Sequence, residues 1–245
     1  MTERPRLTPA MADVRRAIRE NLSDLTPDAV VLVALSGGPD SLALAAGLAF
    51  EAPRAGLLAG AVIVDHGLQE GSDVVAENAA AQARELGLDP VIIRRVKAVP
   101  SAGPEADART ARYDALEFVA MELGAVAVLL GHTLDDQAET VLLGLTRGSG
   151  ATSLAGMSDI NGIYRRPLLG IRRAQTVAAC EDQGLRPWND PHNLDSSYTR
   201  VRIRHDVLPV LEKELGPGVT EALARTAEQF KQDSAVLDAL TSEIM

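Results

Sequence analysis

Cysteine is almost absent from this chain of 245 residues, which contains Cys180 and no other. A disulfide within the chain and a Cys-x-x-Cys metal or redox site are therefore both excluded. We interpret Cys180 as a small, buried apolar residue of a helix. Aromatic residues are also scarce, at 3% of the chain, so the core must consist mainly of alanine, valine, leucine and isoleucine.

Long hydrophobic runs are missing as well. The longest, such as residues 57–64, have the length of a strand, whereas a membrane-spanning helix needs about 20 apolar residues. The residues that follow Met1 lack the apolar region of a secretion signal. These features favour a soluble, cytoplasmic protein with no membrane partner.

Positive charge is in short supply, because the net charge is −10. That balance argues weakly against a nucleic-acid partner. Residues 141–210, however, contain nine arginines and six acids. Arginine is suited to bidentate phosphate contacts. The charge pattern therefore leaves two alternatives open, an ordinary solvated surface and a nucleic-acid-binding surface.

A strand, a glycine pair and a helix follow one another in residues 30–46. Six apolar residues precede Gly37 and Gly38, and Pro39 then stands at the first position of an alanine- and leucine-rich helix. The N–H groups and the dipole at the start of this helix predict a phosphate site above the glycines. Asp40 would repel a polyphosphate unless a divalent cation bridged them, so we expect Mg²⁺ with a nucleotide. From these residues alone, a glycine-rich turn without a ligand stays open.

Strand-like and helix-like segments alternate regularly as far as residue 145. This alternation predicts an α/β fold with a doubly wound, parallel, five-stranded sheet covered by helices on both faces. The expected segments are strands at 29–35, 57–65, 90–96 and 126–130, and helices at 9–25, 40–50, 73–86, 105–123 and 134–145. Ligands bind where the carboxyl ends of such strands meet. That edge is expected to carry Ser36, Asp65, His66, Lys97, Gly131 and His132.

A second polar segment, Gly-His-Thr-Leu-Asp-Asp-Gln-Ala-Glu-Thr, occupies residues 131–140. Thr133 and Asp136 resemble a capping box, which would explain the acids of this first turn on structural grounds alone. Asp136 and Glu139 are three residues apart, so they can share a helix face and hold one cation. A zinc site with His132 is disfavoured, because no second histidine is near in the sequence.

The sequence becomes richer in glycine and polar residues after Arg147, which predicts a mobile loop followed by an extended piece or a short strand, the fifth of the sheet. Helices are expected at residues 172–183 and 201–215, a hinge at Gly-Pro-Gly 216–218, and one long helix to residue 244. We therefore predict an N-terminal helical arm (1–28), a catalytic domain (29–215) and a small helical extension (216–245). That extension would begin a further C-terminal domain.

Two resemblances narrow the function. Ser-Gly-Gly-Pro-Asp-Ser at residues 36–41 resembles the pyrophosphate loop of the PP-loop ATPases, also called N-type ATP pyrophosphatases. Five further motifs are similar to those of the tRNA(Ile)-lysidine synthetases within that superfamily. They lie at residues 64–68, 105–113, 131–157, 166–169 and 190–209. The chain departs from the family pattern at His192 and Val201, and relatives carry further C-terminal domains that help to hold tRNA.

The resemblance implies an adenine nucleotide alpha hydrolase-like fold and a ligase that forms a carbon–nitrogen bond. Such enzymes use ATP, free L-lysine and Mg²⁺ to convert the wobble cytidine of a CAU-anticodon tRNA(Ile) into lysidine, releasing AMP and pyrophosphate. A homodimer is a further expectation.

The resemblance also implies roles for particular residues. ATP would contact Ala34, Ser36, Gly37, Gly38, Pro39, Asp40, Ser41, Val64, Asp65 and His132. Catalysis and lysine binding would involve Arg112, Asp136 and Glu139, with one of the two acids as general base. The tRNA would meet Arg147, Arg200 and Arg204. Magnesium would be held by Asp40 and Asp136.

Three rival functions fit the sequence less well. A tRNA thiolase generally needs paired cysteines or an iron–sulfur cluster, and the chain has one cysteine. Small-molecule amide-forming relatives lack the Arg-Gly-Ser-Gly block and the arginine-rich tail. An ATP-sensing module without chemistry would not require Asp40, Arg112, Asp136 and Glu139 together.

Overall fold

A computed structural model describes residues 8–67, 69, 71–97, 103–148 and 150–244. Within those ranges the strands are β1 Val30–Ala34, β2 Leu58–Asp65, β3 Val91–Arg95, β4 Ala125–Leu129, β5 Ile160–Asn161 and β6 Tyr164–Arg165. The α-helices are α1 Pro9–Asn21, α2 Pro39–Glu51, α3 Ser72–Glu85, α4 Pro104–Leu123, α5 Leu134–Thr146, α6 Ala151–Leu154, α7 Arg173–Asp182, α8 Thr199–Arg202, α9 Leu208–Leu215 and α10 Val219–Ile244. None of the helices in the described ranges is long and apolar enough to cross a membrane.

The chain forms two compact units. The first contains the residues before His132, together with Ile160–Leu168 and Ala174–Trp188. The second contains His132–Asp159, Leu169–Arg173 and the residues from Asn189 onward. Helix α1 lies in the first unit and α10 in the second, and the predicted boundaries at residues 28 and 215 stay predictions.

The sheet belongs to the first unit and has the strand order β3-β2-β1-β4-β6-β5. Every neighbouring pair is parallel except β5 with β6. The predicted parallel α/β fold is therefore confirmed, but the sheet has six strands rather than five. The additional strand arises because Gly162 and Ile163 turn the chain back between Asn161 and Tyr164, and Gly162 adopts the positive φ that such a short turn needs.

Helices cover the sheet on both faces. Leu32 in β1 packs with Leu116 and Val119 of α4, while Val31 and Val33 point to the opposite face because side chains alternate along a strand. On that side α1 and α2 pack closely together. Gly47 permits this approach, since a Cβ there would overlap the side chain of Ile18.

The second unit is helical, with α5 packed against α10. The helix predicted at residues 201–215 is interrupted by a π-helical turn at Ile203–Val207. Pro209 lies just beyond this turn and has no N–H to donate to the carbonyl one turn earlier, which favours a wider turn at this point.

The predicted hinge at residues 216–218 is held by a side chain. The carboxylate of Glu212 accepts hydrogen bonds from the N–H groups of Gly218 (2.7 Å) and Thr220 (2.9 Å) and from the Thr220 hydroxyl (2.6 Å). These bonds with Thr220 and Gly218 lower the pKa of Glu212 to about 2. Glu212 therefore acts as a cap for the start of α10.

Candidate active site

The phosphate loop lies in the first unit, between β1 and α2. Gly37 has φ +85°, a left-handed conformation that favours glycine. Gly38 is the N-cap of α2 and makes no side-chain capping bond, and Pro39 opens the helix. The positive end of the α2 dipole therefore lies directly after the two glycines, at the position where the sequence predicts an anion.

Two serines tie the ends of this loop together. The Ser41 hydroxyl donates to the carbonyl of Gly38 (3.0 Å) and accepts from the N–H of Ser36 (3.2 Å). The two hydroxyl oxygens are 3.1 Å apart. Since a hydroxyl has one proton and that of Ser41 is already donated, Ser36 is the donor in this pair. These hydrogen bonds fix the shape of the loop.

Residues far along the chain support the same loop. Thr176 and Cys180, one turn apart on α7, donate to the Asp40 carboxylate and the Pro39 carbonyl respectively. The N–H of Trp188 donates to the carbonyl of Gly37 at 2.9 Å. No pattern in the sequence indicates these three residues, because each is separated from the loop by more than 130 positions.

Gly131 follows β4 and lies against the start of α2. A Cβ at this position would be 3.1 Å from both the carbonyl carbon of Asp40 and the nitrogen of Ser41. Few real Cβ contacts are so short, so this backbone approach requires glycine. The sequence predicts Gly131 at the ligand-binding edge, but it does not indicate this close approach to the start of α2.

The end of β2 carries a second group of predicted residues. Asp65 is buried, which by itself would raise its pKa, but a hydrogen bond from the N–H of Gly67 (2.9 Å) opposes this. The nearby charge of Arg95 adds to that effect, and the pKa of Asp65 lies below its ordinary value. Asp65 is therefore a charged acceptor at the edge of the sheet. The half-buried Ala34 and Val64, predicted to contact adenine, end or nearly end β1 and β2.

Arg112 lies on α4 and is half-buried. Burial and the positive charge of Arg112 together lower the pKa of His66, which therefore stays neutral at pH 7. Arg112 and His66 are thus neighbours, although they are 46 positions apart in the sequence. The structure brings this predicted arginine to the carboxyl end of β2.

In the second unit, the predicted capping box of α5 is present. Thr133 donates to Asp136 Oδ2 from both its N–H and its hydroxyl, each at 2.8 Å, and the Asp136 N–H returns a bond to the hydroxyl. Asp136 is buried, and the capping box fixes the position of its carboxylate.

Two arginines approach the acids of α5. Arg173 donates to Asp136 Oδ1 at 2.7 Å, and Arg204 donates to Glu139 Oε1 at 2.7 Å. Arg204 also reaches Asp136 Oδ1 at 3.3 Å. Asp136 and Glu139 thus share one face, as predicted, in a cluster whose charges balance.

The pKa of Asp136 is set by opposing effects. Burial would raise it, but the charge of Arg173 and the hydrogen bonds from Thr133 lower it below its ordinary value. His132, predicted among the ATP residues, belongs to the second unit and also helps to lower this pKa.

The other arginines predicted to meet tRNA have different surroundings. Arg200 donates to the hydroxyl of Thr140 at 2.8 Å, so it lies beside the acidic face of α5. Arg147 is exposed at the C-cap of α5.

A family model described as a PP-loop domain matches residues 11–211. Three proteins named tRNA(Ile)-lysidine synthase are close relatives. The chain is 62% identical to that of Leifsonia xyli subsp. xyli, 58% to that of Thermobifida fusca and 59% to that of Streptomyces coelicolor. These alignments cover 89%, 94% and 85% of this chain.

The chain belongs to the tRNA(Ile)-lysidine synthase family. The resemblance found in the sequence is thereby confirmed. The chain spans 66%, 71% and 60% of the lengths of these three family members.

A solved structure has the same fold. It is the U34-tRNA thiolase NcsA from Methanococcus maripaludis with its [4Fe-4S] cluster, with a TM-score of 0.74 and 21% identity over 90% of this chain and 78% of NcsA. At this identity the likeness establishes the fold alone.

Asp40 and Asp136 differ in how well they suit Mg²⁺ as ligands. Asp40 fits, because it is a hard oxygen ligand beside the phosphate loop and Thr176 orients it. Asp136 fits less well, because both of its oxygens already accept hydrogen bonds. Within the described ranges, no group of three or more His, Cys, Asp and Glu side chains could hold a metal ion.

Proposed function

We propose that this chain carries out ATP-dependent formation of lysidine at the wobble cytidine of a tRNA(Ile) with a CAU anticodon. The main support is the identity of 58–62% to relatives named for this activity, over most of the chain. The closed phosphate loop and the paired acids of α5 are the two sites that such a reaction needs.

In the first step, the cytosine 2-oxo oxygen attacks the α-phosphate of ATP, forming a phosphorus–oxygen bond and releasing pyrophosphate. The amino end of α2 would hold the triphosphate, and Ser36 and Ser41 would fix the shape of the loop through their hydroxyl groups. Asp40 would hold Mg²⁺, which supplies charge neutralisation of the phosphates when it is bound.

In the second step, the ε-amine of lysine attacks carbon 2 of the adenylated cytidine, and AMP leaves with the bonding electron pair. We assign the binding of the lysine ammonium to Asp136 and Glu139, and this requires that Arg173 and Arg204 give up part of their hydrogen bonds to these acids. The ammonium must lose a proton before it attacks. We propose that one of these two acids accepts that proton.

Arg112 is proposed to contact the activated cytidine. Arg147 and Arg200 are proposed to contact tRNA phosphates. Arg204 donates to Glu139, so we propose that it orients the acid pair in addition to any contact with RNA.

A direct test combines the chain with Mg²⁺, ATP, labelled lysine and tRNA(Ile) bearing a CAU anticodon. We expect label to enter the RNA, with AMP formed in equal amount. Asp136→Asn is expected to abolish this transfer and to leave ATP affinity unchanged, whereas Glu122→Gln, at an exposed position of α4, is the matched control. Normal transfer by Asp136→Asn would contradict the assignment, and ATP binding without turnover by the wild type would favour a sensing module.

A thiolase function is not proposed. NcsA is a thiolase with a cluster, but this sequence has one cysteine, and Cys180 is buried.

A further inference from the structure

An open cavity of about 330 Å³ lies between α1 and the C-terminal end of α2, in the first unit. We call it the α1–α2 cleft. It is lined by Ala12, Arg15, Arg16, Arg19, Phe50 and Glu51. Three arginines and one acid therefore form its wall, although the chain as a whole has a net charge of −10.

An aromatic ring fixes one of these arginines. The guanidinium carbon of Arg15 is 3.5 Å from the ring centroid of Phe50, and that of Arg54 is 3.4 Å from the same centroid. Two guanidinium groups at these distances cannot share one face of a ring, so Phe50 is stacked between them. Arg15 is thus positioned by stacking on Phe50.

The positive charge of the cleft is poorly compensated. Glu51, its one acid, is buried and engaged by Arg19 through two hydrogen bonds of 2.8 and 3.0 Å. The Nε of Arg15 is buried and has no hydrogen-bond partner among the described residues. Burial lowers the pKa of Arg15, Glu51 opposes the change, and the charge of Arg54 adds to it. An anion placed here would relieve that unfavourable charge.

Arg16, the remaining arginine of the cleft, can exchange its ion-pair partner for a phosphate. Arg16 forms an ion pair with Asp13 at 2.6 Å, but its side chain is 61% exposed. Asp13 also accepts a hydrogen bond from Gln175. Exposed ion pairs contribute little to stability, so a phosphate can replace Asp13 as the partner of Arg16 at small cost.

The cleft is distinct from the phosphate loop. Phe50 and Glu51 end α2, whereas the loop begins it, and a helix of 13 residues is about 20 Å long. A triphosphate held by the loop therefore does not reach the cleft. The cleft also lies outside residues 141–210, the stretch in which the sequence concentrates its arginines.

We propose that the α1–α2 cleft binds a backbone phosphate of the RNA substrate. The choice of RNA rests on the proposed function, which supplies a polyanion that extends well beyond the reacting base. Guanidinium groups offer parallel N–H donors that match two phosphate oxygens, so Arg15 and Arg16 together provide the contact.

The test is the affinity of the chain for tRNA(Ile) across a series of salt concentrations, measured by filter binding. For Arg15→Gln/Arg16→Gln we expect affinity about tenfold weaker at low salt, and a slope of log affinity against log salt that is smaller by about 1 to 2. Arg84→Gln, at an exposed position of α3, is the matched control and should bind like the wild type.

The single variant Arg16→Gln keeps the proposal testable if the double variant misfolds, because it leaves the stacking of Arg15 on Phe50 intact. It should melt and bind ATP like the wild type, and should lower the salt slope by about 1. Wild-type affinity and slope in both variants, with lysine transfer intact in the wild type, would overturn the cleft proposal and leave the proposed function standing.

A second arm separates RNA from a free anion. Titration with inorganic phosphate should give much weaker binding than tRNA. Phosphate binding that the double variant loses, together with unchanged tRNA affinity, would overturn the assignment to RNA. A wild-type chain that binds no tRNA would count against the proposed function and would remove the cleft proposal with it.

Discussion

Arg204 holds Glu139 through two hydrogen bonds, from Nε to Oε1 at 2.7 Å and from Nη2 to Oε2 at 3.1 Å. Glu139 is 0% exposed, so water cannot solvate its charge. A second cation, Arg173, is 3.5 Å from Oε1. The forked geometry requires a guanidinium, because an ammonium cannot donate to both oxygens in this way. The charge of Glu139 therefore depends mainly on Arg204.

Replacing Arg204 by methionine should lower the free energy of unfolding by about 3 kcal/mol, because a buried carboxylate loses its principal partner. Urea denaturation measures this loss. Arg204→Met/Glu139→Gln should recover much of the stability, since the uncompensated charge is then removed as well. Lys213→Met, at a residue 80% exposed, should change stability by less than about 0.5 kcal/mol. If Arg204→Met were as stable as the wild type, the charge of Glu139 would not depend on its ion pair with Arg204.

Glu212 should make stability depend on acid pH. Its pKa falls from 4.5 to about 2, because hydrogen bonds from Thr220 and Gly218 favour the charged form. A depressed carboxyl pKa stabilises the fold above the ordinary value, and this stability is lost as pH falls toward about 2. The stability difference between wild type and Glu212→Gln should therefore be largest at neutral pH and should shrink below about pH 4.5. Urea midpoints between pH 7 and 3 measure it.

The control for this experiment is Glu214→Gln, two residues away and exposed. It should not reproduce the pH-dependent difference. A stability difference for Glu212→Gln that is constant over the whole pH range would mean that the carboxylate does not hold the start of α10.

Gly131→Ala should weaken ATP binding about tenfold, because the added methyl group pushes against the backbone of Asp40 and Ser41 and displaces the loop. Isothermal titration with ATP and Mg²⁺ measures the change. Gly170→Ala is the matched control, since a Cβ there meets open space. Equal ATP affinity in both variants would show that the loop tolerates the displacement.

Gln137→Glu should loosen the segment that follows α6. The Gln137 amide donates to the Met157 carbonyl at 3.0 Å and accepts from the Met157 N–H at 2.7 Å. A carboxylate can only accept, so one bond is lost and its oxygen faces a carbonyl, at a cost of about 1 to 3 kcal/mol. Faster proteolytic cleavage at residues 150–158 is the expected result. Gln183→Glu, at an exposed position, should be cleaved at the wild-type rate.

Much of the fold and of the phosphate loop could be predicted because their signals are local. The apolar run, the twin glycines and Pro39 are adjacent in sequence, and the capping box joins Thr133 to Asp136 three residues later. The sixth strand was missed because Ile160–Asn161 is too short to show a periodic pattern. The interruption at Ile203–Val207 was missed because its apolar pattern resembles that of an ordinary helix.

The partners of the acid pair could not be predicted. Arg173 and Arg204 are 37 and 68 positions from Asp136, and no pattern in the sequence indicates which of the chain's arginines will meet it. The support of the loop by Thr176 and Trp188 is likewise a contact across long separations. Such contacts follow from how elements pack, which a single sequence does not display.

Cys180 gives the chain a natural chemical reporter. Its thiol is buried against the carbonyl of Pro39, and burial, with the charge of Asp40, raises the pKa of Cys180 to about 12. Almost no thiolate exists at neutral pH, so an alkylating reagent reacts only when α7 separates from the start of α2. The rate at which this sulfur is alkylated therefore records local opening at the phosphate loop, without an engineered label and with no other sulfhydryl in the sequence to confuse the signal.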